Sequence, residues 1–373
     1  MTSIKEYVAD LVFVIRAPED GTDLAVSEAS RLSKAWFKIS MLLNVVASPW
    51  LLRKGGYRRE LLAYAHSFVA SGTDPDIAFM AILNKLNNVL SSRLQWVNAS
   101  LTAVIVLSIM TGVLAFMVIL GAPPIVGLIN LLYIPLIHYY QVELVKYDYA
   151  KPLISSFVGL GIGLALTQML RLPGLMAATI SIITFGIGFA VLYMPQFIRF
   201  AMDYLGMYGR VSKSFGELLL VSDPKPPVLR TIVEKELAQL WDYAYSRGSR
   251  DVVERVNMVV DSFMNFIGQV VRSGFVYGPF IAVSYAMMLA LTAMLLALHA
   301  PALASSAVSS ATSITSAASI ISGLANVYAL FTMLIILGAS TSIIVGKAMH
   351  SIGLGISLLP LFLAPVIALM GWA

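Results

Sequence analysis

Cysteine is absent from all 373 residues, which excludes disulfide frameworks, thiolate metal sites and cysteine nucleophiles. Charge is scarce: 12% of the residues are Asp, Glu, Lys or Arg, against roughly 25% in a soluble globule. Histidine is down to His66, His138, His299 and His350. No two of these have the i, i+4 spacing or the carboxylate company of a zinc helix, so no metal or cofactor is expected. What fills the chain instead is apolar: 58% of residues, with a mean hydropathy of +0.83. These values predict an all-α polytopic membrane protein. The first 35 residues are polar and carry Glu6, Asp10, Glu19, Asp20 and Asp23, so a cleavable secretory signal is not expected. The net charge of +5 fits loop topology better than nucleic-acid binding.

Charge is distributed in blocks. Lys and Arg crowd into residues 1–96 and 199–272, leaving only Lys146, Lys151, Arg171 and Lys347 elsewhere, and the acids follow the same division. A spanning helix needs about 20 apolar residues, because the hydrocarbon core is about 30 Å thick. Seven runs meet that length: about 97–120, 124–141, 152–170, 174–197, 273–298, 319–345 and 351–371. None carries a charge at its middle, where one costs roughly 2.5–3.5 kcal/mol. The sequences Ala122-Pro123-Pro124 and Arg171-Leu172-Pro173-Gly174 read as tight turns. Alternating spans place the basic blocks, Lys146, Lys151 and Lys347 on one face. By the positive-inside rule the chain is expected in the cytoplasmic membrane, with a cytoplasmic N-terminus and an external C-terminus.

Three stretches admit two readings. Residues 36–52, with Trp36, Lys38 and Trp50, read as a helix on the membrane surface or packed on the first cytoplasmic domain, ahead of an eighth span. The small-residue run 302–319 reads as an external loop or a helix extension, ahead of a Ser-lined pore. Gly159, Gly161 and Gly163, with Gly186 and Gly188, lie inside apolar spans. They suit close helix packing, within one chain or between two, better than a nucleotide loop.

One pattern recurs. ELLAYAHSFVASG (Glu60–Gly72) and ELAQLWDYAYSRG (Glu236–Gly248) both run thirteen residues from Glu-Leu to Gly, 176 positions apart. The same offset carries Val97, where an apolar run starts, onto Ser273, where another starts. Each copy reads as helix, sharp turn, helix. Leu61, Leu62, Ala65, Phe68 and Val69 form one stripe, and Leu237, Leu240, Trp241, Ala244 and Tyr245 another. Gly72 and Gly248 are placed to close their helices in the left-handed conformation. The expected organisation is therefore an N-terminal cytoplasmic segment with an interfacial helix (1–52) and a first cytoplasmic helical domain (53–96). Spans one to four (97–198), a second, repeated helical-bundle domain (199–272) and spans five to seven (273–373) follow.

The stretch Gly72-Thr73-Asp74-Pro75-Asp76-Ile77-Ala78-Phe79 resembles the signature of the type II secretion system F family. The tail Val345-Gly346-Lys347, followed by Gly353 and a last apolar run, is similar to that family's archaeal branch. The resemblance covers about residues 55–373. Glu254 stands where the second copy of the pattern has Ala, and four spans separate the copies. The resemblance implies a non-enzymatic platform protein of type IV pilus, archaellum or type II secretion machines. Its implied partners are a cytoplasmic hexameric assembly ATPase, pilin-like subunits, membrane lipid and a second copy in a homodimer. Arg58, Arg59, Arg247, Arg250 and Arg255, just outside the stripes, are candidate contacts to an acidic ATPase surface; the alternative is a solvated helix face. No Gly-x-Gly-Asp and no Walker motif appears, so neither the peptidase nor the ATPase of such machines is expected here. A transporter or channel is the competing reading, with Asn130, Gln168 and Asn326 as the amides placed within spans.

Overall fold

A computed structural model describes residues 2–44, 56–119, 135, 142–144, 147–221, 223–309 and 314–372. A two-residue parallel pairing joins β1 (Thr2–Ser3) to β2 (Val142–Glu143). The other described elements are helices: α1 (Ile4–Asp20), α2 (Thr22–Leu32), α3 (Lys34–Leu43), α4 (Tyr57–Ala70), α5 (Pro75–Ile119), α6 (Ala150–Met169), α7 (Gly174–Leu220), α8 (Ile232–Arg247), α9 (Arg250–Ser309), α10 (Ile314–Ala348) and α11 (Ile352–Trp372). The chain divides into two compact units. The first holds Met1–Val97, Tyr140–Lys146 and Phe200–Val271; the second holds Asn98–Tyr139, Tyr147–Arg199 and Arg272–Ala373.

The centre of the first unit is α1. Tyr7, Val8, Ala9, Asp10, Leu11, Phe13, Val14 and Ile15 are all buried, so the helix is enclosed rather than one-sided. It packs on α2, α4 and α8. The segment set apart in sequence as 1–52 is therefore, through Leu43, built into this unit. Its third helix turns Trp36 inward, fully buried and stacked on Phe13 at 4.5 Å. Residues 45–52 lie outside the described set. Helix α4 buries Leu61, Leu62 and Ala65, and α8 buries Leu237, Leu240, Trp241 and Ala244. Tyr245 faces out instead.

Local chemistry sets the ends of these helices. The Thr231 hydroxyl accepts from the Glu234 N–H while the Glu234 carboxylate accepts from the Thr231 N–H, so α8 opens on a full capping box. Before α5, the Asp74 carboxylate accepts from Asp76 N–H at 2.9 Å and Pro75 takes the first helical position. Gly72 has φ 68° and Gly248 φ 63°, the left-handed region that a Cβ disfavours.

Five of the described helices are long and apolar enough to cross a membrane: Ala150–Met169, Gly174–Leu220, Arg250–Leu291, Tyr328–Ala348 and Ile352–Met370. Of the other expected spans, 97–120 is helical through Ile119, and 124–141 lies outside the described residues except for Pro135. In the second unit α6 lies so close on α7 that a Cβ on Gly159 would collide with the Thr184 carbonyl, and one on Gly188 with the Ser155 carbonyl. Gly163 meets Thr184 in the same seam and Gly186 meets Pro360 of α11, whereas Gly161 faces open space. Arg171, with φ 49°, makes the turn from α6 to α7. The Tyr285 hydroxyl of α9 reaches the carbonyls of Leu334 (3.3 Å) and Phe362 (3.2 Å), tying α9, α10 and α11 together. The Ser-rich stretch 302–319 extends α9 to Ser309 and opens α10 from Ile314.

Candidate docking face at the paired glycine turns

Three helix turns meet at one end of the first unit. Each turns on a glycine with positive φ: Gly21 (87°) between α1 and α2, Gly72 (68°) between α4 and α5, and Gly248 (63°) between α8 and α9. Arginines of the third turn hold them together. Arg255 donates Nη1 to Glu19 at 2.5 Å and Nη2 to Asp76 at 2.7 Å, with its guanidinium 5.7 Å from the Phe79 ring centre. Arg247 donates to Asp20 at 3.3 Å and lies 5.5 Å from the Tyr243 ring centre. Arg255 keeps only 9% of its side chain exposed, so it is an internal clamp from α9 onto α1 and α5.

Around the clamp the end is open. Leu24 (60%), Ile77 (60%), Met80 (45%) and Tyr245 (52%) expose large apolar side chains there. Charge at the three turns is unequal. Glu19, Asp20, Asp23, Asp74, Asp76, Asp251 and Glu254 outnumber Arg247, Arg250 and Arg255. The face is acidic with apolar patches, the inverse of the basic patch that the arginines alone suggest.

The five arginines expected to share a docking role are divided by the structure. Arg247 and Arg250 are exposed at the turn, and Arg250 pairs with Glu254 one helical turn on, at 2.9 Å. Arg255 is the clamp. Arg59 is half-buried and makes no ion pair among the described residues. Arg58 lies at the opposite end of α4 and points inward, 11% exposed. It donates Nε to Asp10 Oδ1 at 2.6 Å, Nη2 to Asp10 Oδ2 at 3.2 Å and Nη1 to Glu6 at 3.1 Å. A charge buried this deeply stays folded only if paired, and both Arg58 and Arg255 are paired within the unit.

Sequence reading missed what Arg58 serves. Asp10 is fully buried in α1 and also accepts from Trp36 Nε1 at 2.7 Å and Tyr57 Oη at 2.6 Å. Burial raises its pKa above the ordinary value, opposed by the Arg58 guanidinium and the three donors. Tyr57 is pushed up as well, by burial and by the Asp10 charge. The signal available was an acid in the run Tyr7–Ile15, but its partners stand 26, 47 and 48 residues away.

Positions 176 apart recur in these contacts. Arg58 and Glu234 are the buried charges at the starts of α4 and α8. Glu234 is fully buried and accepts from Arg210 Nε at 2.7 Å, so the polarity is reversed between the two. Phe79 and Arg255, also 176 apart, touch each other. In the second unit Ser273 donates to Asn98 at 2.7 Å and Thr102 to Tyr277 at 3.4 Å, each pair 175 apart. In the second unit α5 and α9 therefore run side by side in the same direction.

A small cleft of about 150 Å³ lies between α1, α2 and α8, where Arg16 and Arg31 both reach Glu28, at 3.6 and 3.1 Å. It is below the roughly 300–1,000 Å³ of small-molecule sites, and its cations are already answered by Glu28. Among the described residues, no group of three or more His, Asp or Glu is placed to hold a metal ion. No family model, no curated protein and no solved structure matches this chain.

Proposed function

We propose that the chain is a non-enzymatic platform of a type IV pilus-like or type II secretion-like assembly machine. In this reading it couples a cytoplasmic hexameric ATPase to the insertion of pilin subunits into a filament. The platform sits in the cytoplasmic membrane with seven spans, N-terminus inside and C-terminus outside, and works as a homodimer. The observation that carries the reading is continuity: α5, α7 and α9 each pass from one unit into the other as a single helix. Two of them, α5 and α9, start at the glycine turns of the exposed face.

The offset of 176 supports treating α4–α5 and α8–α9 as two copies of one unit, paired face to face around Phe79 and Arg255. Their charges differ at equivalent places, Arg58 against Glu234 and Asp74 against Arg250, so the two copies are not interchangeable to a partner. The surplus of carboxylates at the turns favours a basic surface on the ATPase, with Ile77, Met80 and Tyr245 as the apolar contacts.

The test is assembly in cells carrying Ile77→Asp with Met80→Asp, and separately Asp251→Lys. These side chains are exposed, so both proteins should reach the membrane at normal levels. Filament assembly is expected to fail in the first and weaken in the second. Normal assembly in both, at normal protein levels, removes the face from the mechanism.

A further inference from the structure

Helix α3 has two faces of different chemistry. The inner face is pinned: Trp36 and Ile39 are buried, Trp36 Nε1 donates to Asp10 at 2.7 Å, and the Ser33 hydroxyl caps the first turn by accepting from Ala35 N–H at 3.1 Å. The outer face is a narrow stripe at i, i+3, i+4, i+7: Lys34, Phe37, Lys38 and Met41. All four are exposed, Phe37 and Met41 at 55% each. The helix contains no acidic residue, and the sequence beyond it, Asn44 to Leu52, is uncharged before Arg53 and Lys54.

We propose that this stripe docks on the surface of an anionic bilayer. Basic residues beside exposed aromatic and aliphatic ones are the composition of a helix lying in the headgroup region. Charge complementarity selects the lipid, because the stripe carries lysines and no carboxylate. Five helices of the same chain are long and apolar enough to cross a membrane, so a bilayer is held to the same chain. The inner-face anchors matter energetically. A free amphipathic segment must order itself when it binds, whereas α3 is already folded and held by Asp10, so that ordering cost falls away. Each lysine near an anionic leaflet contributes about fivefold to docking. The inference rests on the chain being in a membrane and not on the platform reading.

The lack of cysteine makes the test clean. Single variants Phe37→Cys, Met41→Cys and, as a water-facing control, Arg250→Cys are spin-labelled in the full-length protein. They are reconstituted in phosphatidylcholine vesicles with and without phosphatidylglycerol. Collisions with oxygen and with a water-soluble nickel chelate report the depth of each label. At residues 37 and 41 the oxygen-to-nickel ratio is expected to rise several-fold above the control when phosphatidylglycerol is present. Adding Lys34→Gln with Lys38→Gln should lower the docked-to-undocked ratio about thirtyfold. Labels as open to nickel as the control in anionic vesicles overturn the proposal. So do labels shielded from both reagents, which would place protein on the stripe.

Discussion

Arg58→Ala is the change that most sharply separates an interior role from a docking role. It removes both guanidinium bonds to Asp10, at 2.6 and 3.2 Å, and the 3.1 Å bond to Glu6. Asp10, fully buried, is left with the neutral donors Tyr57 Oη and Trp36 Nε1. Breaking a buried pair from one side costs about 3–5 kcal/mol, out of roughly 5–15 kcal/mol for a whole domain. At about 1.4 kcal/mol per factor of ten, the folded-to-unfolded ratio falls roughly a hundred- to several-thousand-fold. Urea titration of the detergent-solubilised protein, read by proteolytic cleavage within α4, measures the loss. Arg59→Ala, at a half-buried residue with no ion pair among the described residues, should stay within about 0.5 kcal/mol of wild type. Asp10→Leu with Arg58→Met removes both charges and should recover most of the stability, because an apolar replacement of a buried pair is close to neutral. If Arg58→Ala resists urea and protease as wild type does, the Asp10 network does not hold this unit together.

Gly72→Val and Gly248→Val each cost roughly 1 kcal/mol or more through backbone strain. Open space surrounds both glycines, so the penalty is dihedral and not steric. New proteolytic cuts are expected near 56–95 for the first and 225–270 for the second, with the spans still protected; unchanged cutting in both would refute the left-handed closures. In the membrane unit, Gly159→Ala forces α6 away from α7 and should lower thermal stability by roughly 1–3 kcal/mol. Gly161→Ala, which meets nothing within 4 Å, should leave it unchanged in a detergent melt, and equal effects at the two positions would refute the packing.

What was legible in the sequence was local. The stripes of α4 and α8 repeat every three to four residues, and a glycine after such a stripe has few other uses than a helix stop. The apolar runs of α6, α7, α10 and α11 announce themselves because a bilayer tolerates little else. What was not legible depended on distance along the chain. Helix α1 looks like a polar leader because Lys5, Glu6, Asp10 and Arg16 interrupt it. Its burial becomes intelligible only once Arg58, Tyr57 and Trp36 are seen to answer Asp10. The partners of the arginines were hidden for the same reason: Glu19, Asp20 and Asp76, which pair with Arg255 and Arg247, come from other helices. Gly161 shows the limit within a single motif. Gly159 and Gly163 pack against α7 and Gly161, between them, turns away.

The central claim is tested most directly by photo-crosslinking in intact cells, with a photoreactive amino acid placed at Ile77, at Tyr245 and, as an off-face control, at Lys213, which is 79% exposed on α7. The two turn positions are predicted to capture the assembly ATPase, identified by mass spectrometry, and the control is not. Capture of no ATPase from either turn position, with the protein present and folded in the membrane, would contradict the account.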